Sequence, residues 1–201
     1  MPHTRERLLD AALRAFAVDG VAGTAITDLE DAAGLAAGSG GFYRYFRTKD
    51  EVLAAAVQRE IARVRQKHEE RPAPTSTVDG REALTADLHD ALEVLRGLGP
   101  LMGVLAREHG RIPELAAEVA DHLVEGGLRH DVERLSSLMA SGAIPERDPA
   151  ALGAVLISAL IGYHLSSGYF GGPLGGVDAD RFVGELVDLV AGPSDRQPAD
   201  A

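Results

Sequence analysis

Residues 38–46 read Gly38-Ser39-Gly40-Gly41-Phe42-Tyr43-Arg44-Tyr45-Phe46, three glycines among four residues and then an arginine set among aromatics. Such a stretch can cradle a nucleotide's phosphates or open a short helix, and spacing separates the two. A P-loop needs G-x-x-x-x-G-K-[ST] behind a strand. Here no lysine follows the glycines, and no strand-like alternation precedes them. A dinucleotide fingerprint needs G-x-G-x-x-G; Gly38 and Gly40 fit, but Tyr43 stands in the third place. The flanking sequence reads as helix. Leu9, Ala12, Leu13 and Phe16 recur at three and four residues through 5–18, and Gly20 ends that run. Thr27 can cap a short helix over 28–33 that Gly34 stops. A second short helix over 39–46 then completes a helix-turn-helix, the unit that lays its second helix in a DNA major groove.

The residue types suit that task. Phe42 and Phe46, four apart, are core candidates, which turns Tyr43, Arg44 and Tyr45 outward. Ser39 and the backbone N–H groups of Gly40 and Gly41 would stand at a helix N-terminus, where phosphate is attracted. Arg44 is the candidate for a bidentate guanine contact or a phosphate clamp. The hydroxyls of Tyr43 and Tyr45 can reach a phosphate or a base edge. Lys49, in the first turn of the next helix, would hold the DNA backbone. The net charge of −11 argues against a polyanion partner only until its distribution is read. Residues 51–201 hold 14 Lys/Arg against 24 Asp/Glu, whereas residues 38–49 hold three cations and no acid. Phosphate attraction is local, screened within ~8–10 Å, so a small basic face on an acidic body suffices.

The ordered set Arg7, Leu9-Asp10-Ala11-Ala12, Phe16, Gly20, Thr24, Thr27-Asp28-Leu29, Ala33-Gly34, Phe42-Tyr43, Phe46, Lys49 and Leu53 resembles the N-terminal domain of TetR-family transcriptional regulators. The resemblance covers 5–57. It implies a helical homodimer, a DNA-binding head before an effector-binding body, and repression until a small molecule binds. It also implies phosphate contacts by Thr27, Tyr43 and Lys49 and a reading helix over 39–45. Two departures stand out. The family has an alanine where this chain has Glu30, and its turn before the tyrosine is about two residues shorter. We expect these to be linked: a longer turn makes room for Glu30, whose carboxylate can accept N–H groups at the glycine-rich start of the reading helix.

The body reads as helix throughout. Thr48 and Glu51 form a capping box that starts a long helix to about residue 70. Residues 71–80 are a linker by composition. Asp79 opens the next helix, with Leu84, Leu88, Leu92 and Leu95 inward. Short and long helices follow over 101–109 and from Pro113 to about residue 141, the latter with Leu115, Val119, Leu123, Leu128, Val132, Leu135 and Met139 inward. Another runs from Pro149 to about 169, and a last one from Asp178 to 190. Residues 150–165 are apolar nearly all round, which fits burial on two sides or a membrane. As a 16-residue stretch it falls short of a ~20-residue span. We expect it to face its own body and a second subunit through Leu152, Leu156 and Leu160, beside Phe182, Leu186 and Val190.

The expected architecture is therefore all-α, about nine helices: a three-helix helix-turn-helix head over 1–47, a ligand-binding and dimerisation body over 48–192, and a disordered tail over 193–201. Candidate pocket residues are His89, Met102, Leu105, His109, Leu123, Met139, Tyr163 and His164. No cysteine is present, which excludes disulfides and thiolate sites. No histidine has glutamate three places before it and no His-Glu-x-x-His occurs, so we expect no metal, no cofactor and no catalytic residues. The charged, amphipathic N-terminus has no apolar leader and reads as cytoplasmic, with no membrane partner. The expected function is a ligand-responsive regulator, a repressor released from a pseudo-palindromic operator by a small molecule. The alternative is a helical small-molecule-binding protein or enzyme that does not bind DNA, which would not need the basic run of 38–49.

Overall fold

Helix starts and stops follow from a few side chains. Thr48 has extended φ and ψ, and its hydroxyl accepts from the Glu51 N–H at 3.0 Å. The reciprocal arm reaches one residue further out, the Glu51 carboxylate accepting from the Arg47 N–H at 2.6 Å. Asp178 and Asp148 cap two later helices by accepting from Arg181 and from Ala150 and Ala151. Pro113 stands in the first turn of another, where its missing N–H costs nothing.

The computed structural model describes residues 2–70, 80–108, 110–169 and 171–192. Among the described residues there are nine α-helices and no strand. They are α1 (Pro2–Gly23), α2 (Ile26–Ala32), α3 (Lys49–Glu69), α4 (Gly80–Gly97), α5 (Gly99–Glu108), α6 (Pro113–Val119), α7 (Gly126–Ala140), α8 (Pro149–Tyr169) and α9 (Ala179–Ala191). The expected linker over 71–79, the Asp79 cap, His109 and the tail from 193 lie outside the described residues. The long helix expected from Pro113 is divided, because a π-helical turn over Ala120–Glu125 separates α6 from α7.

The chain forms two compact units. The first comprises Met1–Glu70 and Gly97–Glu125, so the head packs with α3, α5 and α6. Its core is built on Phe16, Leu9 and Leu13 of α1, Leu29 of α2, Phe42, and Leu53 and Val57 of α3, all buried. Helix α5 comes close to α1 at Gly103, where an added Cβ would stand 2.9 Å from the Ala17 Cβ. Helix α1 breaks at Gly20, whose φ of 75° suits glycine. The break leaves the Val21 N–H without a helical acceptor, and the Glu108 carboxylate of α5 accepts it at 2.9 Å. Arg59 of α3 reaches back to α1, its guanidinium 2.7 Å from Asp10 and also from the buried Glu60.

The second unit comprises Arg71–Arg96 and Gly126–Ala201. Its core interleaves Leu84, Leu88 and Leu92 of α4 with Leu135 and Leu138 of α7, Leu156 and Leu160 of α8, and Val183 and Val187 of α9. Helix α8 runs 21 residues, longer than the apolar stretch alone suggests. Residues Pro149–Gly168 are thus long and apolar enough to cross a membrane, at a mean hydropathy of 1.5. Length therefore does not separate the readings. One stripe, Gly153, Leu156 and Leu160, is buried in the unit's own core, and 22% of the apolar window is buried in all.

The approach of α5 to α1 at Gly103 gives a stability test. Gly103→Leu forces overpacking against Ala17 and is expected to cost ~1–3 kcal/mol, measured as a lower urea midpoint with an unchanged slope.

Candidate nucleic-acid interface

Helix α2 and the turn after it position residues 38–46. The Gly34 N–H donates to the Asp31 carbonyl and the Leu35 N–H to the Glu30 carbonyl, both at 2.8 Å. Gly34 has φ of 67°, which ends α2 cleanly. Ala25, not Thr27, is the N-cap of α2, and no side chain caps it. Thr27 lies inside the first turn, exposed, its hydroxyl 3.5 Å from Asp28. The expected cap is thus corrected, since the helix begins one residue before Thr27. Its exposure leaves the hydroxyl available to a phosphate.

The expected reading helix over 39–46 is also corrected. Only Phe42–Arg44 are helical, as one 3-10 turn. The cause is local: Gly38 and Gly40 hold φ of 74° and 72°, values that interrupt a right-handed helix. Gly40 is therefore outside the helix and Gly41 is its N-cap. Residues 38–42 form an arch instead. Its two ends meet one side chain. The Glu30 carboxylate accepts from the Gly38 N–H at 2.7 Å and from the Phe42 N–H at 2.9 Å. Glu30 is 1% exposed. A buried carboxylate is costly without partners, and these two charge-assisted bonds supply them. The linkage between the long turn and Glu30 is thus present in the structure. It also changes one expectation: the N–H groups of Gly38 and Phe42 face Glu30 and are not offered to a phosphate.

Ring packing fixes the residues beyond the arch. Phe42 and Phe46 are buried, with centroids 5.8 Å apart. The Arg5 guanidinium stands 5.4 Å above the Phe46 ring, a cation–π contact. Tyr43 is 59% exposed, edge-on to Phe42, and Arg44 is exposed beside it. Ser39 is exposed at the crown of the arch, Gly40 is half-buried and Gly41 is buried. Tyr45 is half-buried. Gly41 therefore shapes the arch from inside, its would-be Cβ position 3.1 Å from Leu35. Arg47, exposed in the same basic run, joins the outward face.

Lys49 takes a role that sequence reasoning missed. Its ammonium donates to the carbonyls of Ala22, at 3.3 Å, and Thr24, at 2.8 Å, just where α1 ends. It ties the start of α3 to the end of α1. Three donors on an ammonium leave one direction open to a phosphate.

The expected pocket residues divide between the two units. Met102, Leu105 and Leu123 belong to the first unit, and His89, Met139, Tyr163 and His164 to the second. His89 bonds the Thr85 carbonyl and lies 3.0 Å from Asp180. Tyr163 donates to the Val177 carbonyl and stacks on Phe182 at 4.3 Å. Both polar groups serve the packing of their own unit. Burial, and then the neighbouring Arg96, push the His164 pKa down, which favours the neutral imidazole. The cleft that exists in the second unit is elsewhere, between α4, α7 and α8. Its walls are Leu88, Ala91, Leu135, Ile157 and Leu160, with Arg134 and Asp87 paired among them. Its volume is about 30 Å³.

Of the expected partner-facing residues, Leu156, Leu160, Leu186 and Val190 are buried within the single chain, in the core of the second unit. Leu152 and Phe182 are half-buried against it. On α8 the open face carries Ala151, Ala154, Val155 and Ser158, and on α9 it carries Leu189. Val155 is 64% and Leu189 69% exposed. A helix apolar all round gives no sign in sequence of which stripe turns inward; here Leu156 and Leu160 turn into the unit's own core and Val155 stays open. Among the described residues, no group of His, Asp and Glu is arranged to hold a metal ion.

The family model for bacterial regulatory proteins of the tetR family matches residues 8–56. No curated protein matches the chain. Solved structures are similar along nearly its whole length. A TetR transcription regulator from Haloarcula marismortui has a TM-score of 0.68 at 18% identity, covering 94% of this chain and 99% of that one. Reduced NemR from E. coli has a TM-score of 0.68 at 20% identity, covering 95% and 100%. AibR, in complex with isovaleryl coenzyme A and operator DNA, has a TM-score of 0.63 at 18% identity, covering 95% and 100%. These likenesses establish the fold.

The Lys49 tie predicts a stability effect that needs no nucleic acid. Lys49→Met removes two charged hydrogen bonds and is expected to lower the urea-unfolding free energy by ~1–2 kcal/mol.

Proposed function

We propose that the chain, whose residues 8–56 match the family model for bacterial regulatory proteins of the tetR family, is a ligand-responsive transcriptional repressor that a small molecule releases from its operator. The observation that carries this reading is the outward group of Ser39, Tyr43 and Arg44 on a head whose inward side is locked by Glu30, Phe42 and Phe46. Arg44 reads a base edge or clamps a phosphate, and Tyr43, Thr27, Arg47 and Lys49 hold the DNA backbone. Tyr45, half-buried, contributes from the side. The 3-10 turn offers fewer side chains than a full reading helix, so DNA shape carries a correspondingly larger share of recognition.

Residues 1–47 form the DNA-binding domain and 48–192 the ligand-binding and dimerisation domain. The open faces of α8 and α9, centred on Val155 and Leu189, pair with the same faces of a second copy. Two-fold pairing presents two heads to half-sites about one helical turn, ~34 Å, apart. The effector site is the cleft between α4, α7 and α8. At about 30 Å³ it has room for a water or two, far below the ~300–1,000 Å³ of ordinary ligand sites. An effector must therefore repack these walls, which is what allows its binding to be coupled to DNA. If effector selects a repacked body that DNA disfavours, each weakens the other by the same factor. AibR, bound to both isovaleryl coenzyme A and operator DNA, has the same fold. The reading assigns no catalytic role, needs no cofactor, and sets the protein in the cytoplasm with its DNA.

Selection of duplexes from a random pool tests the reading. Enrichment of an inverted repeat with half-sites one turn apart is expected; a pool left unenriched contradicts it. On the selected duplex, Arg44→Ala is expected to cost ~1–3 kcal/mol and to relax preference at one position per half-site. Val155→Glu is expected to shift the sedimentation of the full chain from dimer to monomer at micromolar concentration and to abolish cooperative binding to the inverted repeat.

A further inference from the structure

We propose that Glu30, which touches no DNA, sets the sequence specificity of DNA binding by holding the 38–42 arch in one shape. The inference rests on the DNA-binding reading above and assigns Glu30 as a positioning residue. Its carboxylate spans the arch, one oxygen on the Gly38 N–H and the other on the Phe42 N–H. Between those two points lie only Ser39, Gly40 and Gly41. The single polar side chain among them is Ser39, and the next residues outward are Tyr43 and Arg44. The shape of the arch, and with it the position of Ser39 and of the backbone that leads into Tyr43 and Arg44, therefore depends on where the carboxylate holds its ends.

The surroundings separate this role from simple stabilisation. Nothing lies within 4 Å of where a Cβ would stand at Gly38 or Gly40. The crown of the arch leans on no packed neighbour at those positions, and two of its glycines are conformationally permissive. Phe42 and Phe46, by contrast, sit in the buried core with Arg5 over the Phe46 ring. Releasing the carboxylate thus frees the arch while the rings keep the head assembled. Loss of one shape for the arch weakens contacts that depend on base position. It leaves the sequence-independent attraction of Arg44, Arg47 and Lys49 to phosphates in place.

The test uses the full-length protein, the duplex it selects from a random pool, and an unrelated duplex of the same length. Glu30→Gln places an amide N–H group against one of the two backbone donors. Affinity for the selected duplex is expected to fall about tenfold or more, as for loss of a hydrogen bond to a charged group. Affinity for the unrelated duplex is expected to change by less than about twofold, since its phosphate contacts remain. Gly40→Ala is the second variant: it meets open space but a strained φ of 72°, so it distorts the same arch without touching Glu30. It is expected to show the same selective loss. In the free protein, the Gly38 and Phe42 amide resonances are expected to move upfield together in Glu30→Gln. Unchanged discrimination between the two duplexes in both variants would overturn the proposal. So would an equal loss on both duplexes with Gly40→Ala at wild-type discrimination, which would make Glu30 structural only. Should Glu30→Gln unfold the head, Gly40→Ala decides alone: selective loss supports the proposal and wild-type discrimination refutes it. A wild-type protein that selects no duplex ends the DNA-binding reading itself, and this inference with it.

Discussion

One buried carboxylate governs the arch over residues 38–42. Glu30 sits under the arch with 1% of its surface exposed, and its position on α2 is set by the turn at Gly34 and the packing of Leu29. Three glycines and one serine give the arch a single short side chain with which to hold itself. The Ser39 N–H donates to the Ala36 carbonyl, and without Glu30 the Gly38 and Phe42 N–H groups would be left to water in many shapes. The carboxylate converts that freedom into one conformation because leaving a buried charge unpartnered costs more than ordering a few glycines. Everything outward of it, Ser39, Tyr43 and Arg44, inherits that order.

The same logic of paired ends recurs in the first unit. Gly20 breaks α1 and Glu108 takes the freed Val21 N–H. The carbonyls of Ala22 and Thr24 go to the Lys49 ammonium. Arg59 spans from α3 to Asp10 of α1. The first two ties stand where a helix begins, ends or breaks, and the third joins α3 to α1 at mid-helix. The second unit has ties of its own, Arg134 of α7 on Asp87 of α4 and Arg81 of α4 on Asp188 of α9. Around them lies a leucine and valine core, with a cleft of about 30 Å³ between α4, α7 and α8.

How much was legible in the sequence depended on whether the signal was local. The all-α class, the Thr48 cap, the inward leucines of α4 and the outward Tyr43 and Arg44 follow from spacing over three or four residues, and the structure agrees. The match of Glu30 to the lengthened turn was legible as well, because both departures lay within one short segment. The reading helix was overextended because glycine gives no sign in sequence of which φ it adopts. Lys49 and Glu108 find their partners across 25 to 87 residues, a distance over which spacing carries no information. The inward stripe of α8 was not legible for a different reason: Leu156 and Val155 are both apolar, and only packing decides that one is buried and the other open. The pocket residues were chosen as an apolar wall with a few polar anchors, and a packing hydrogen bond accounts for a polar group on an apolar face equally well, as at Tyr163 and His89.

Hydrogen exchange of the full chain, with and without the duplex it selects, shows where DNA contacts it. The account predicts that DNA slows exchange in peptides covering 36–49 and leaves those covering the core leucines of α4 unchanged. Protection confined to other segments, with the 36–49 peptides exchanging as in the free protein, would contradict it.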